Sequence, residues 1–324
     1  MAAPRPDLTI IMVSYNTRDL TLAAIRTCLE TTLETCYRLV VLDNASHDGS
    51  ADAIEEVFGT DPRVELIRSS ENLGFAKANN DVAKQCDTRF LLLLNPDTEC
   101  HPGAVDNLMA FAEATPQAKI WGGRTVFQDG ALNPSSCWMR ITPWSLLCWA
   151  VGLTAAFPRT SLFNPEALGS WQRDSEKPVD IVSGCFFLVE RDLWNALGGF
   201  DLSYFMYGEE ADLCLRAEKA GAAPRVTPEA TIMHIVGASA KGRPARRKMV
   251  LKARATLIRR HMTGARRALS LGLLWGGVGG RVLAISAVAA LIRSSSWQER
   301  AGGQQEIWGG RRDWMAGYVP TLSQ

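Results

Sequence analysis

Short apolar segments alternate with longer amphipathic ones in the first part of the chain. From Leu8 to Phe127, segments of β-branched and aliphatic residues are each followed by a polar turn and a segment with helical spacing. The pattern predicts strands over 8–15, 38–42, 64–68, 90–94 and 119–127 and helices over about 19–31, 51–58, 77–86 and 102–115. Such alternation predicts an α/β fold, Rossmann-like, with a mostly parallel central sheet and helices on both faces.

The segment Phe90–Leu94 has the pattern of the most buried strand. It is an unbroken apolar run between polar turn residues, which is typical of a parallel strand covered on both faces. Asn95-Pro96-Asp97 follows at once, and the strand ends there because proline cannot donate to a sheet ladder. Asp97 is therefore predicted to lie just past the carboxyl end of a central strand, unless it serves only as a turn or cap residue.

Polar residues follow the carboxyl end of each of the first four predicted strands. They are Asn16, Asp43, Asn72 and Asp97. Right-handed crossovers bring these strand ends to one rim of the sheet, where ligands of open α/β sheets bind. We therefore predict a binding crevice at this rim.

The glycine-rich signatures of common nucleotide-binding loops do not follow the first strand. Ser14-Tyr15-Asn16-Thr17 stands where a G-x-G-x-x-G would be expected, and no P-loop pattern is present. An NAD-type dehydrogenase or a P-loop enzyme is thus disfavoured. A diphosphate could still be bound if a divalent cation bridged it to Asp97, since Mg²⁺ characteristically uses one or two carboxylates together with substrate phosphates.

An ordered set of motifs gives the strongest functional signal. The motifs are Val13-Ser14-Tyr15-Asn16, Val41 to Ser50 (VLDNASHDGS), Asn72-Leu73-Gly74-Phe75-Ala76, Asn95-Pro96-Asp97, Asp180 to Cys185 (DIVSGC), Gly198-Gly199-Phe200-Asp201, Tyr207 to Arg216 (YGEEADLCLR) and His234 to Ser239 (HIVGAS). Over about residues 8–262 this series resembles the family 2 inverting glycosyltransferases, which have the GT-A fold. The similarity is greatest to the bacterial rhamnosyltransferase-like branch.

The resemblance implies roles for the residues at the rim. The implied donor-binding residues are Ser14, Tyr15, Asn16, Asp43, Asn72, Gly74, Asn95 and Asp97. Asp97 matches the last acid of the family's D-x-D element, and Asn95 stands at its first position. His234 matches a histidine that completes the metal site in several members, so the resemblance implies Mg²⁺ or Mn²⁺ bound by Asp97 and His234.

The acidic pair Glu209-Glu210 stands where the family places its general base, usually as Glu-Asp. The resemblance implies that Glu210 is the base, with Glu209 as the rival. A structural role is the alternative, because acidic residues in a first helical turn complement the helix dipole.

A flap predicted over about 133–177 interrupts the regular pattern. It is rich in tryptophan, phenylalanine and proline. It either packs on the core as a helical flap or forms a wall of the acceptor site, since aromatic faces suit sugar rings and lipid-proximal surfaces. Trp171 is the acceptor-side candidate in this flap, and Asp180 and Gly184 are the candidates in the motif that follows.

The C-terminal part differs in charge from the rest of the chain. The net charge is +1, yet 13 of the 35 Lys and Arg residues fall between Ala230 and Gln298, where there is no Asp or Glu. The apolar stretch 268–292 is interrupted by Arg281 and by two glycine pairs, which favours a basic hairpin lying on an anionic membrane and leaves a spanning helix as the alternative. The long apolar stretches count against nucleic acid as the partner.

We therefore expect a GT-A domain over 1–240 and a helical, membrane-associating region over 241–324. The expected reaction transfers a sugar to a hydroxyl of a glycan or polyprenyl-linked glycan, and the branch resembled suggests dTDP-rhamnose as the donor. The expected location is the cytoplasmic face of the cell membrane, with peripheral attachment, and the expected pathway is cell-surface polysaccharide synthesis. A catalytically idle nucleotide-sugar binder or membrane scaffold is the alternative. The eight cysteines lack C-x-x-C spacing and are expected to be reduced and buried.

Overall fold

The structure is a computed structural model that describes residues 6–235 and 243–318. These residues form two compact units, which are treated separately. The first comprises the described residues of 1–138, 172–202 and 209–239, and the second those of 139–171, 203–208 and 240–324. The flap residues 139–171 thus share a unit with the C-terminal helices, while the domain division expected from the sequence stays a prediction.

The elements of the chain up to residue 126 match the predicted alternation closely, except for a short strand over Thr98–Cys100 that was not predicted. They are β1 (Leu8–Ser14), α1 (Arg18–Thr31), β2 (Tyr37–Asp43), α2 (Ser50–Phe58), β3 (Val64–Arg68), α3 (Gly74–Ala83), β4 (Phe90–Leu94), β5 (Thr98–Cys100), α4 (Ala104–Ala114) and β6 (Ile120–Val126). Strands β1 to β4 pair in parallel, in the order β3-β2-β1-β4. The predicted parallel α/β core is therefore confirmed.

The remaining elements complete the first unit, with a separate two-stranded sheet of β8 and β10, and form the helices of the second unit. They are β7 (Leu132–Asn133), β8 (Cys137–Trp138), α5 (Pro143–Ala150), α6 (Leu153–Ala156), β9 (Lys177–Pro178), β10 (Ile181–Val182), β11 (Phe186–Glu190), α7 (Arg191–Leu197), α8 (Glu209–Lys219), β12 (Arg225–His234), α9 (Arg243–His261), α10 (Gly264–Ile292), α11 (Ser295–Gly309) and α12 (Arg311–Ala316). Strand β11 inserts between β4 and β6 and runs antiparallel to both.

The sheet coils so that its last strand returns toward its centre. The order is β3-β2-β1-β4-β11-β6-β12-β5, so three strands lie between β4 and β5, although only residues 95–97 link them in the chain. In a flat sheet β4 and β5 would be about 19 Å apart at ~4.8 Å per strand. The link reaches at most about 14 Å. The sheet must therefore curl, and Asn95, Pro96 and Asp97 lie where it closes.

The core of the first unit is built on β4. All five of its side chains are buried, and the Phe90 ring packs edge-to-face on Trp121 with centroids 5.7 Å apart. Burying each large apolar side chain contributes about 1.5–3 kcal/mol. Seven of the eight cysteines are buried, as expected, whereas Cys36 is exposed.

The prediction of a hairpin over 268–292 is wrong, because α10 runs unbroken through both glycine pairs. A Cβ atom added at Gly277 would lie 2.5 Å from the Trp149 ring and 2.9 Å from Cβ of Ala150. A Cβ at Gly279 would lie 3.0 Å from the Trp308 ring. These glycines therefore permit close helix packing against α5 and α11 rather than ending the helix.

Helix α10 is long and apolar enough to cross a membrane, with a mean hydropathy of 1.6 over its best window, of which 17% is buried. Its exposed large side chains include Leu269, Trp275, Leu283, Leu291 and Ile292. Because most of this apolar surface is uncovered in the described chain, a hydrophobic surrounding would stabilise it.

Candidate active site

The loops after β1 and β2 are joined by a dense hydrogen-bond network. The Asn16 backbone N–H donates to Ser46 Oγ (3.0 Å), and Asn16 Oδ1 accepts from the His47 N–H (2.8 Å). The Arg18 N–H donates to Asp48 Oδ2 (3.0 Å). Asn16 has a φ of 52°, a left-handed conformation that asparagine tolerates better than most residues. The network holds both loops at one rim of the sheet.

Asp43 ends β2 and is 3% exposed. Its Oδ2 accepts from the Ser46 N–H at 3.0 Å, whereas its buried Oδ1 has no hydrogen-bond partner among the described residues. An unpaired buried acceptor costs roughly 1–3 kcal/mol. A ligand hydroxyl or base N–H reaching this carboxylate would remove that cost, which fits the predicted donor-binding role of Asp43.

Asn44 connects Asp43 to the loop before α3, and sequence reasoning gave it no role. Its amide donates to Asn72 Oδ1 (3.0 Å), and its Oδ1 accepts from the Leu73 N–H (2.8 Å). Asn72 Oδ1 also accepts from the Gly74 N–H at 2.9 Å. Its position beside Asp43 in the VLDNAS motif was the available signal.

The two predicted donor-binding side chains at the end of β1 differ in accessibility. Tyr15 is 37% exposed, so its ring is available to a ligand. The Ser14 side chain is fully buried, and its hydroxyl bonds to the Thr21 hydroxyl at 2.8 Å. The Ser14 hydroxyl therefore supports α1 against β1, and the expected donor-binding role of Ser14 stays a prediction.

Asp97 and His234 lie side by side where the sheet closes. Strands β5 and β12 pair His234 with Thr98, and the Ile235 N–H donates to the Asp97 carbonyl at 2.9 Å. His234 Nε2 is 3.4 Å from Asp97 Oδ1, and the two side chains are 11% and 13% exposed. The predicted pair is thus brought together, although the rest of its motif, residues 236–239, lies outside the described residues.

The chemistry of this pair fits a divalent cation shared with a diphosphate. Neighbouring ligand atoms of an octahedral ion with bonds of about 2.0–2.1 Å lie about 3 Å apart, close to the observed separation. No group of three or more His, Cys, Asp or Glu side chains with metal-binding geometry occurs within residues 6–235 and 243–318, so the remaining ligands would come from phosphate and water. Burial lowers the pKa of His234, but Cys185 and the Asp97 carboxylate outweigh it and raise the pKa to about 10. The imidazole must lose this proton to bind a cation.

Residues 184 and 185 bridge the Asp97–His234 pair and the start of α8. The Asn95 N–H donates to the Cys185 carbonyl at 3.1 Å, which attaches the Asn-Pro-Asp link to the start of β11. A Cβ at Gly184 would lie 3.5 Å from the Phe75 ring and 3.9 Å from Cβ of Glu210. The predicted acceptor-side Gly184 and the predicted base Glu210 are therefore neighbours, and Gly184 directly precedes Cys185, whose carbonyl contacts Asn95.

The two glutamates at the start of α8 occupy different environments. Glu209 is 5% exposed, its Oε2 has no hydrogen-bond partner among the described residues, and burial together with the Glu210 carboxylate holds its pKa well above the usual range. Glu210 is half-buried. A base must be ionised and within reach of the acceptor, so the environment favours Glu210 over Glu209.

The other two acceptor-side candidates fall in different places. Burial raises the pKa of the Cys214 thiol to about 12, and the carboxylates of Glu210 and Asp180 add to the rise, so both lie near that thiol. Trp171 belongs to the second unit and is 8% exposed, so its ring offers little surface to a sugar. Roles for Asp180 and Trp171 stay predictions.

The chain is similar to bacterial sugar transferases in sequence. The model of glycosyl transferase family 2 matches residues 9–192. The N-acetylglucosaminyl-diphospho-decaprenol L-rhamnosyltransferase of Mycobacterium tuberculosis is 30% identical over 211 residues, covering 60% of this chain and 66% of that protein, just under two thirds of its length. Rhamnosyltransferase WbbL of Escherichia coli K12 is 25% identical over 61% of this chain and 72% of its own.

The fold has a solved counterpart. A mannosyltransferase from Pyrobaculum calidifontis, solved with GDP-Man and Mn²⁺, superposes with a TM-score of 0.59 at 16% identity, covering 96% of this chain and 88% of that chain. At this identity the match shows the fold, which is GT-A. The motif series and these similarities together establish that the chain belongs to glycosyl transferase family 2, in its rhamnosyltransferase-like branch.

Proposed function

We propose that this protein is an inverting glycosyltransferase that moves a sugar from a nucleoside-diphosphate donor to a hydroxyl of a glycan or polyprenyl-linked glycan. The observation that carries the proposal is the bridge at residues 184–185. Gly184 lies beside Glu210, and the Cys185 carbonyl accepts from the Asn95 N–H two residues before Asp97. This bridge supports a site in which one carboxylate can reach an acceptor while another holds the donor.

The donor would bind along the rim from Asp43 to Asp97. Asp43, with one unpaired oxygen, and the exposed Tyr15 ring suit a base and ribose. The Asn44–Asn72 hydrogen bond holds the loop before α3 next to the end of β2. Asp97 and His234 would hold Mg²⁺ or Mn²⁺ against the diphosphate, and the cation would offset the charge that grows on the leaving group.

Inversion needs one displacement and one base. The acceptor oxygen attacks the anomeric carbon as the bond to the diphosphate breaks, and the Glu210 carboxylate takes the hydroxyl proton. A free glutamate has a pKa of about 4.3 and is ionised at neutral pH. Burial and the Glu210 carboxylate raise the pKa of Glu209, so Glu209 is less readily ionised and less suited to this role. The product has the opposite anomeric configuration, and the nucleoside diphosphate departs.

The relatives suggest the substrates. Two are rhamnosyltransferases, and one of these acts on an N-acetylglucosaminyl-diphospho-decaprenol. We take dTDP-rhamnose as the first donor and a prenyl-diphosphate N-acetylglucosamine as the first acceptor to test. The proposed setting is cell-surface polysaccharide synthesis at the cytoplasmic face of the membrane, with α10 associating peripherally.

A nucleotide-sugar panel tests the proposal. The donor should raise the unfolding temperature of the full chain, because a ligand of the native state stabilises it by mass action. Incubation with donor, acceptor and Mn²⁺ should yield product of inverted configuration by NMR, and EDTA should prevent it. Donor binding without transfer to any acceptor or to water would instead favour the idle nucleotide-sugar binder.

A further inference from the structure

The second unit contains a cavity unrelated to the rim of the sheet. It has a volume of about 410 Å³ and lies among α5, α9, α10 and α11. Four arginines line it, Arg246, Arg247, Arg254 and Arg281, together with apolar side chains that include Trp149 and Val278. The volume falls in the range of about 300–1,000 Å³ that small-molecule sites occupy.

The positive charge of the cavity is incompletely neutralised. Glu166 forms a two-pronged ion pair with Arg254, with N–O distances of 2.8 and 2.9 Å. Arg246, Arg247 and Arg281 have no carboxylate partner within residues 6–235 and 243–318. By contrast Lys248 and Lys252, on the same helix, pair with Glu306 and Asp313 at 2.9 and 2.7 Å. Acidic side chains thus lie nearby, but they pair with lysines that do not line the cavity.

Arg281 is the most constrained of the four. Its guanidinium carbon lies 3.7 Å from the centre of the Trp149 ring, and it donates to the Trp149 carbonyl. Burial, and then the positive charges of Arg247 and Arg254, lower the pKa of Arg281 to about 10. Three guanidinium groups therefore repel one another at one place, and an anion bound there would relieve the repulsion.

We propose that this cavity binds the phosphate or diphosphate group of an amphiphile, whose hydrocarbon chain then lies along the apolar surface of α10. Guanidinium groups bind phosphate oxygens in pairs, which suits arginine better than lysine for this role. The apolar wall at Trp149 and Val278, and the exposed Ile292 on the same side of α10 as Arg281, supply the surface for the hydrocarbon. The proposal concerns binding in the second unit alone and does not depend on sugar transfer.

The test uses the full chain in neutral detergent, without donor, and farnesyl diphosphate as the probe. Calorimetry should show saturable binding, much weaker binding of inorganic diphosphate and none of farnesol. The double variant R246Q/R247Q should lower the affinity by about tenfold or more, because two charged donors are lost. The matched control is R266Q/R267Q, an adjacent arginine pair that is exposed on α10, and its affinity should change less than about twofold.

The control distinguishes a defined binding site from general attraction of an anion to a basic surface. Equal losses in the two double variants would overturn the proposal, as would inorganic diphosphate binding as tightly as farnesyl diphosphate. A second variant, Arg281→Lys, keeps the charge but loses the planar group over Trp149 and should also weaken binding. Unchanged unfolding temperatures establish that the variants fold. Short-chain phosphatidylglycerol distinguishes the source: equal binding identifies a leaflet phospholipid, and preference for farnesyl diphosphate identifies a prenyl carrier.

Discussion

His234 Nε2 lies 3.4 Å from Asp97 Oδ1, where the end of β12 meets the short link between β4 and β5. The coil of the sheet produces this contact. It places a carboxylate and an imidazole together at low exposure, where a cation and a diphosphate would be held away from bulk water.

Replacing Asp97 or His234 by alanine should abolish Mn²⁺-dependent binding of the nucleoside diphosphate. Changes in groups outside the first ligand shell cost about 10–100-fold in metal affinity, so loss of a ligand should cost at least that. Affinity in the unmodified chain should rise with pH, because His234 must release a proton. Calorimetry with Mn²⁺ and dTDP measures both. Asp192→Asn is the control, since that side chain is 92% exposed, and unchanged cation dependence in Asp97→Ala would rule out the assignment.

Glu210→Gln should lower kcat by roughly 10²–10⁴-fold, the usual contribution of a general base, while donor affinity stays nearly constant. The variant keeps the shape of the side chain and removes its ability to accept a proton. Glu210→Asp should retain part of the activity. Steady-state kinetics of Glu209→Gln provide the comparison: if that variant loses activity and Glu210→Gln does not, the base is Glu209.

Glu209→Gln should change the pH dependence of stability. The pKa of Glu209 is raised by burial, so the folded state binds its proton more tightly than the unfolded state does. The resulting contribution to the free energy of unfolding is fully present below the unfolded pKa of about 4.3 and is lost as pH rises through the folded pKa. Each unit of pKa difference is worth about 1.4 kcal/mol. The variant should therefore gain free energy of unfolding relative to the parent at pH 8 but not at pH 4, as measured by denaturant unfolding. Glu71→Gln, the same substitution at an exposed position, is the control for the change of side chain.

Gly277→Ala should destabilise the second unit by about 1–3 kcal/mol, the usual cost of overpacking, because the new methyl group meets Trp149 and Ala150. Gly276 is the matched control: a Cβ there meets no atom within 4 Å. Gly276→Ala should stabilise the helix by about 0.5–1 kcal/mol. Thermal unfolding of the two variants checks the difference, and equal shifts would show that α10 does not approach α5 closely at Gly277.

The membrane role of α10 can be tested at its exposed leucines. Leu283 and Leu291 are 74% and 83% exposed, and burial of each in an apolar layer is worth about 1.5–3 kcal/mol. The double substitution to glutamine should lower sedimentation with anionic vesicles by at least tenfold. Leu33→Gln, at 80% exposure in the first unit, should leave it unchanged. Retained binding in the double variant would place the membrane contact elsewhere.

The parallel half of the fold was predictable because its pattern is local. Strand β4 matches the predicted 90–94, since five consecutive apolar residues bounded by turns admit few alternatives. Strand β11 was not predicted. No crossover helix directly precedes it, so it falls outside the regular strand-helix alternation. Its antiparallel insertion beside β4 depends on contacts between residues distant in sequence.

The site was predictable to the extent that it follows strand ends and family motifs. Asp97 and His234 are brought together as expected. Asn44 was missed because its hydrogen bonds reach Asn72 and Leu73, which no local pattern reveals. The burial of the Ser14 hydroxyl was missed for the same reason, since its partner Thr21 lies on the next helix. The glycines of α10 were misread because glycine breaks an isolated helix but permits close contact in a packed one.

The closure of the sheet also has a consequence for biosynthesis. During translation β1 to β5 leave the ribosome well before β12, so Asp97 is made and can be positioned long before His234 exists. A ligand that needs both side chains binds only after the last strand has paired with β5. Such a ligand would stabilise finished chains by mass action and leave interrupted ones, which end before residue 234, exposed to proteolysis.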